Sequence, residues 1–185
     1  MRKDFGKKTI ITPLPVVIIG TYDAEGKPNA MNAAWAGQVD ADQIIISLSK
    51  HKTTDNLELK GEFTVAFATR KTVVESDYFG IESDRRADKI AKAGFHAVKG
   101  TCVDAPVFEE YPLVLECKVA EMKPDGDGYM LIGETVNMNV DESILSDGKI
   151  DLSKMEPIMF DSAMNKYRVI GEIVGDAFKD GMKLR

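Results

Sequence analysis

Two serines and a lysine stand close together where a predicted β-strand ends. The segment Gln43–Ser49 is largely apolar, and successive side chains of a strand point to opposite faces. Ser47 and Ser49 therefore emerge on one face at its carboxyl end, and Lys50 follows directly. Hydroxyl groups beside an ammonium group can bind an anion through charge-assisted hydrogen bonds. The residue types at this strand end therefore point to phosphate binding.

A predicted helix start adds anion-binding groups at the same position. Thr53 or Thr54 is suited to cap the helix at its amino end, and Gly61 is suited to end it. Unpaired backbone N–H groups at a helix start attract anions, and the helix dipole adds to the attraction. We therefore predict a phosphate cradle here. An ordinary solvated turn before a capped helix is the structural alternative.

The preceding predicted strand, Pro28–Ala36, has faces of unequal bulk. One face carries Asn29, Met31, Ala33 and Trp35, and the other carries Ala30, Asn32, Ala34 and Ala36. The second face is low and nearly smooth, so a flat ligand could lie against it and hydrogen-bond to the backbone. Close packing of the sheet is the alternative reason for these small residues.

The elements that must hold these segments are mostly strands. Further strands are predicted at Val16–Tyr22, Glu62–Thr69, Leu113–Met122 and Tyr129–Val140. A helix is predicted at Asp84–Ala93 with Asp84 as its cap, whereas Arg70–Phe79 and the tail after Asp161 have no clear pattern. Hairpin-linked strands with short helices between them favour a mainly β, Greek-key antiparallel barrel. We expect it to be a single domain over residues 1–185.

Composition argues against several classes of function. The chain has 185 residues, a net charge of −6 and a pI of about 5.0, which disfavours nucleic acid or an anionic membrane as the main partner. It has no apolar run of membrane-spanning length and no signal peptide, so we expect a cytoplasmic protein. Two cysteines and two histidines disfavour a metal site, and no glycine-rich nucleotide motif is present.

With these residues in view, the sequence resembles the flavoredoxin and flavin reductase-like family. The resemblance runs nearly end to end and rests on the order and spacing of short motifs. In the first half these are Pro13–Val16, Gly20–Tyr22, Pro28–Trp35, Ile46–Ser49 and Thr53–Asn56. In the second half they are Asp77–Gly80, Asp88–Lys89, Asp104–Pro106, Leu115–Cys117, Ile132–Glu134 and Val140–Glu142.

The resemblance implies a homodimer that binds FMN on a split β-barrel, near the subunit interface. It places the flavin ring along Asn29–Trp35 and the phosphate at the strand end described above, with Asn56 as a local organiser. The cofactor-site residues that it implies are Asn29, Ala30, Met31, Asn32, Ala33, Trp35, Ser47, Leu48, Ser49, Lys50, Thr53, Thr54, Asn56, Lys89 and Tyr167.

Several of these assignments have alternatives. Lys89 also fits a surface charge on a helix, Tyr167 a packed residue of the tail, and Trp35 an aromatic of the core or of an interface. Asn32 stands where family members often carry Thr or Ser. Asparagine can both donate and accept hydrogen bonds, so the departure affects the contact with the polar edge of the ring rather than binding as such.

The expected function is that of an FMN-dependent oxidoreductase. Electrons would come from NADH or NADPH, enter at N5 of the flavin and leave to a small-molecule or protein acceptor, so no catalytic side chain is required. Two alternatives are a flavin reductase that releases reduced FMN and a non-enzymatic electron carrier without a nucleotide site. The sequence does not rank NADH against NADPH.

Overall fold

A computed structural model describes all residues, Met1–Arg185, and consists mostly of β-strands. The strands are β1 Leu14–Pro15, β2 Val17–Tyr22, β3 Pro28–Ala33, β4 Ala36–Gln38, β5 Gln43–Ser49, β6 Glu62–Phe67, β7 Ala97–Lys99, β8 Pro106–Phe108, β9 Leu113–Asp125, β10 Gly128–Val140, β11 Leu145–Ser146, β12 Lys149–Ile150, β13 Ile158–Asp161 and β14 Lys166–Val169. The α-helices are α1 Lys52–Lys60, α2 Val73–Ile81, α3 Lys89–Ala93 and α4 Leu152–Met155, and 3-10 helices cover Arg70–Thr72, Glu142–Ile144 and Asp180–Leu184.

Seven strands form one antiparallel sheet in the order β3-β2-β6-β9-β10-β5-β4. The sheet curls into a half-barrel that does not close, because β3 and β4 lie at its two opposite edges although they are neighbours in sequence. This confirms the predicted antiparallel split barrel. A smaller sheet, β1-β13-β14, stands beside it and is built partly from the tail that had no clear pattern.

Apolar side chains cover both faces of the main sheet. Val17 and Ile19 of β2 point into the concave face, where Phe63 and Leu131 pack with them. Val16 and Ile18 point to the other face. There they pack against Phe79 of α2, Ile90 of α3, Phe108, Tyr111 and Ile158. Both faces of β2 are therefore buried in apolar packing.

Two predicted boundaries were wrong. The predicted strand Pro28–Ala36 breaks after Ala33, because β3 pairs with β2 whereas β4 pairs with β5 at the other edge of the sheet. The predicted helix Asp84–Ala93 begins only at Lys89. The side chain of Asp88, not of Asp84, accepts a hydrogen bond from the first turn, at 3.1 Å from Ala91 N.

The longest helices, α1 and α2, have nine residues each. No helix of the chain is long and apolar enough to cross a membrane.

The pairing of β10 with β5 requires a glycine at position 128, opposite Ser49. A Cβ at Gly128 would overlap the carbonyl oxygen of Leu48 and lie 3.0 Å from its carbonyl carbon, and neither backbone atom can move without breaking the ladder. Gly128→Ala should therefore lower the free energy of unfolding by about 1–3 kcal/mol. Urea unfolding measures the effect.

A matched control is Gly37→Ala in β4, where the nearest atom to an added Cβ would be Ile45 Cγ2 at 4.0 Å. Its effect should stay within about 0.5 kcal/mol. Equal unfolding midpoints for the two variants would contradict this account of the β10–β5 pairing.

Candidate functional site

The outer edge of β3 forms one wall of a cleft. β3 is the last strand of the main sheet, so this edge has no neighbouring strand, and α2 lies across part of it. The side-chain amide of Asn32 donates to the carbonyl of Ser76 at 2.8 Å. A Cβ at Gly80 would lie 3.2 Å from Asn32 Cβ, so glycine permits this close approach of α2.

The first part of the cleft, here called the strand cavity, has a volume of about 350 Å³. It lies between β3, β5, α2 and the β13–β14 hairpin. Its lining residues are Met31, Asn32, Ala33, Ala34, Trp35, Ser47, Leu48, Ser49, His51, Asp77, Gly80, Ile81, Phe160, Asn165 and Tyr167. Hydroxyls, amides and aromatic rings therefore meet in one space next to an unpaired strand edge.

The second part, here called the basic cavity, has a volume of about 230 Å³. Its lining residues are Asn29, Met31, Asn32, His51, Lys52, Thr53, Phe79, Gly80, Ile81, Glu82, Ser83, Asp84, Arg86 and Lys89. Five residues line both parts, namely Met31, Asn32, His51, Gly80 and Ile81. The two cavities are therefore halves of one cleft.

Lys89 is the most unusual residue of the basic cavity, because its charged side chain is only 3% exposed. Its ammonium group donates to the carbonyl of Glu82 at 3.2 Å and to that of Phe79 at 3.5 Å, and it makes no salt bridge. Burial lowers the pKa of Lys89, although the carboxylates of Asp84 and Glu82 act in the opposite direction. The interpretation of Lys89 as a surface charge was wrong.

The other charged residues of the basic cavity are balanced, with Lys52 and Arg86 against Glu82 and Asp84, so Lys89 gives the cavity its positive excess. Partial burial and the positive charges of Lys89 and Arg85 lower the pKa of His51. Lys52 pairs with Asp23 at 3.4 Å, and Asp84 pairs with Lys27 at 3.6 Å. The cavity thus holds a buried ammonium group for which the fold supplies no bonded carboxylate.

Tyr167 and Asp77 close the far side of the strand cavity. The Tyr167 hydroxyl donates to the Asp77 carboxylate at 2.7 Å and joins β14 to α2. Burial and the adjacent Asp77 raise the pKa of Tyr167 to about 12. Phe160 lies beside Tyr167, and its ring centroid is 6.3 Å from that of Trp35, whose residue is 63% exposed. Trp35 therefore borders the cleft and is not part of the core.

A buried network of polar side chains holds the start of α1 against β2 and β3. Asn29 donates to the Thr53 hydroxyl at 2.8 Å, and Asn56 donates to the Thr21 hydroxyl at 2.9 Å. Helix α1 begins at Lys52, with His51 as its cap. The predicted cap was therefore displaced by two or three residues. Thr54 instead bonds both backbone groups of His51.

The structure brings most of the predicted site residues to this cleft. Those that line it are Asn29, Met31, Asn32, Ala33, Trp35, Ser47, Leu48, Ser49, Thr53, Lys89 and Tyr167. Four do not line it. The side chain of Ala30 is buried in the core, Thr54 and Asn56 are engaged in the bonds just described, and Lys50 points its ammonium group over the ring of Tyr129 at 6.0 Å.

Sequence reasoning missed the wall opposite β3. Gly80, Ile81 and Asp77 lie on α2, in or next to the segment without a clear pattern. Asn165 lies in the unassigned tail, and Phe160 lies just before it. The motif Asp77–Gly80 was the one signal that could have pointed to this wall. Arg86 was also missed, because the charges of the predicted helix Asp84–Ala93 were interpreted as a solvated face.

Known proteins share this architecture. The flavin reductase like domain family matches residues 10–161. A flavoredoxin of Desulfovibrio vulgaris (Miyazaki F) is 36% identical, with a TM-score of 0.92 over 98% of this chain and 100% of that one. A flavoredoxin from Methanosarcina acetivorans is 30% identical, with a TM-score of 0.91 over 100% of both chains. An FMN-binding protein from Thermus thermophilus with bound 1-cyclohex-2-enone is 20% identical, with a TM-score of 0.76 over 95% and 99%, and shares the fold.

The buried network predicts that Asn56 contributes to stability. Asn56→Ala removes the amide that donates to Thr21, in a place that water does not reach, and should lower the free energy of unfolding by about 1–3 kcal/mol. Leu59→Ala, at an exposed position of the same helix, is the control and should change it by no more than about 0.5 kcal/mol. Equal losses in thermal or urea unfolding would show that the network does not hold α1.

Proposed function

The chain belongs to the flavin reductase-like family, and from this premise we propose that it is an FMN-binding oxidoreductase. In this proposal it passes electrons from NADH or NADPH to a small-molecule or protein acceptor. The observation that carries the proposal is the buried, unpaired ammonium group of Lys89 at one end of a cleft whose other end is an open strand edge. An anionic group and a flat polar ring would meet complementary surfaces there.

The size and donor set of the cleft fit FMN. Pockets for ligands of this size have volumes of about 300–1,000 Å³, with a few polar groups that fix orientation. The two parts of the cleft, of about 350 and 230 Å³, together fall within that range. The FMN-binding protein from Thermus thermophilus has the same fold, which supports flavin as the ligand.

We assign the phosphate to the basic cavity. Burying an ammonium group without a bonded anion costs free energy. A phosphate bound at Lys89 would be held by this charge and would in turn stabilise the folded protein. Thr53, Lys52 and the first N–H groups of α1 lie on the opposite side of this cavity. The proposed cradle thus keeps Thr53 of the predicted one and takes Lys89 in place of Lys50 and Thr54, whose side chains do not reach the cleft.

The strand cavity would hold the ring. The outer backbone edge of β3 can hydrogen-bond its polar rim, with Ser47 and Ser49 exposed on β5, which lines the same cavity from the other end of the sheet. Asn32 keeps its carbonyl oxygen available as an acceptor, because only its amide nitrogen bonds Ser76. Trp35 would cover one end of the ring. When bound, FMN supplies the redox chemistry itself, so these residues need only bind, orient and exclude water.

In the proposed form the protein is a homodimer. Large apolar side chains that line the cleft face solvent, with Trp35 63% and Ile81 72% exposed, and Val74 on the same helix as Ile81 is also 72% exposed. Apolar patches of this kind are typical of protein–protein contact surfaces. A second subunit over this rim would shield the ring from water.

The similarity to two flavoredoxins favours a second candidate, an electron carrier that exchanges electrons through bound flavin without a pyridine-nucleotide site. The FMN-loaded protein is mixed anaerobically with NADH and, separately, with NADPH, and the flavin absorbance is recorded. We expect one nucleotide to bleach the flavin colour at a rate that depends on its concentration. If a chemical reductant bleaches the flavin but neither nucleotide does, the oxidoreductase proposal fails and the carrier stands.

The phosphate assignment predicts a selective loss of affinity. Lys89→Met removes a charge-assisted contact worth about 1.5–3 kcal/mol, so the dissociation constant of FMN should rise by roughly ten- to a hundredfold. Riboflavin lacks the phosphate, so its affinity should change little. Titration of the apoprotein with each ligand, followed by flavin fluorescence, measures both constants.

Lys50→Met is the matched control, because this lysine is exposed and points at Tyr129 instead of the cleft. It should leave both affinities unchanged. If FMN weakens with Lys50→Met and not with Lys89→Met, the phosphate lies at the original position on the exposed turn. If Lys89→Met weakens FMN and riboflavin equally, Lys89 supports the fold and not the phosphate.

A further inference from the structure

The last sixteen residues, Ile170–Arg185, form an exposed arm that joins the rest of its chain at Ile170. Every residue of this arm is exposed, and its hydrogen bonds run within the arm except one, from Ile170 N to Pro157 O at 3.3 Å. The arm nevertheless carries six large apolar residues, which are Ile170, Ile173, Val174, Phe178, Met182 and Leu184. Val174 is 91% exposed and Phe178 98%. An arm of this composition is expected to be covered.

The total surface of the chain supports the same conclusion. A compact monomer of 20.4 kDa exposes about 8,800 Å², whereas this chain exposes 11711 Å². The arm and the exposed segment before Leu14 account for much of the excess. Obligate interfaces bury about 2,000–5,000 Å² in total, or roughly 1,000–2,500 Å² on each chain, so the excess on one chain is at least as large as the surface that an intimate dimer removes from water.

An apolar groove of matching character lies next to the root of the arm. Its main part, of about 600 Å³, is the largest of the main cavities and lies away from the flavin cleft. It is continuous with a smaller, almost wholly apolar cavity of about 240 Å³ through Pro15, Phe67 and Leu113. Ile170, the first residue of the arm, lines that smaller cavity, so the arm leaves the body at the groove without filling it.

The last part of the arm, residues 179–185, carries three basic side chains and one acidic one, whereas Glu172 and Asp176 lie nearer its root. Asp40 and Asp42 line the groove, and neither forms an ion pair. The last part of the arm carries Lys179, Lys183 and Arg185, of which only Lys183 pairs, with Asp180 at 2.7 Å. An arm that lies in the groove would therefore bring unpaired cations to unpaired carboxylates.

We propose that the arm of each chain lies in the apolar groove of a second copy, so that two chains exchange arms. After Ile170 no residue of the arm lines the groove of its own chain. Two copies related by a two-fold axis can each place their arm in the groove of the other. This inference rests on the homodimer proposed above and is independent of the flavin chemistry.

The test is made on the full chain by sedimentation equilibrium across a range of protein concentrations. The native protein should sediment at about twice 20.4 kDa. The double variant Val174→Asp/Phe178→Asp places two charges where apolar side chains are buried, and the dimer dissociation constant should rise by about a hundredfold or more. Val98→Asp, at an exposed apolar position of β7 outside the arm, is the matched control and should leave it unchanged.

A charge exchange gives a second measurement that loss of folding cannot imitate. Asp40→Lys/Asp42→Lys should weaken the dimer, and adding Lys179→Glu/Arg185→Glu in the same chain should restore it. A native monomer, an arm variant that dimerises as well as the control, or a charge exchange without rescue would each overturn the proposal. Because the readout is mass, failure here leaves the flavin proposal standing, and absence of FMN binding would leave the dimer result standing.

Discussion

The free edge of β3 is the constraint on which the site depends. An edge strand presents unpaired N–H and C=O groups that must be covered, bonded or left in water. Helix α2 covers part of this edge, and it can approach because position 80 has no side chain and because Asn32 bonds the carbonyl of Ser76. The remainder opens into the strand cavity. A barrel that closed between β3 and β4 would have no such cavity, so the split in the sheet and the candidate site have one origin.

The second half of the cleft depends on a buried charge. Lys89 is held by two carbonyl groups and by no bonded carboxylate, although the chain as a whole has a net charge of −6. The carboxylates of Asp84 and Glu82 favour its charge without bonding to it, and the phosphate proposed above would supply the direct contact that they do not make. A ligand bound in this way would stabilise the fold as well as serve its function.

Sequence patterns predicted the elements whose bounds depend on neighbouring residues. The bounds of β5 follow from its alternation, with Ile46 and Leu48 buried and Ser47 and Ser49 exposed. Gly61 ends α1 in the left-handed conformation that favours glycine. The far wall could not be predicted in the same way. Tyr167 and Asp77 meet although 90 residues separate them, and no local period encodes such a contact.

The positions of Lys50 and Lys89 show why a site cannot be predicted from charge alone. Lys50 stands next to the right strand but points along β10, whereas Lys89 lies on a five-residue helix that is held against the core by Ile90. Which lysine faces the cleft is decided by packing at distant positions. The network of Asn29, Thr53 and Asn56 fixes the start of α1 in advance, so a ligand need not order these groups on binding. These hydrogen bonds hold this side of the cleft in place without a ligand.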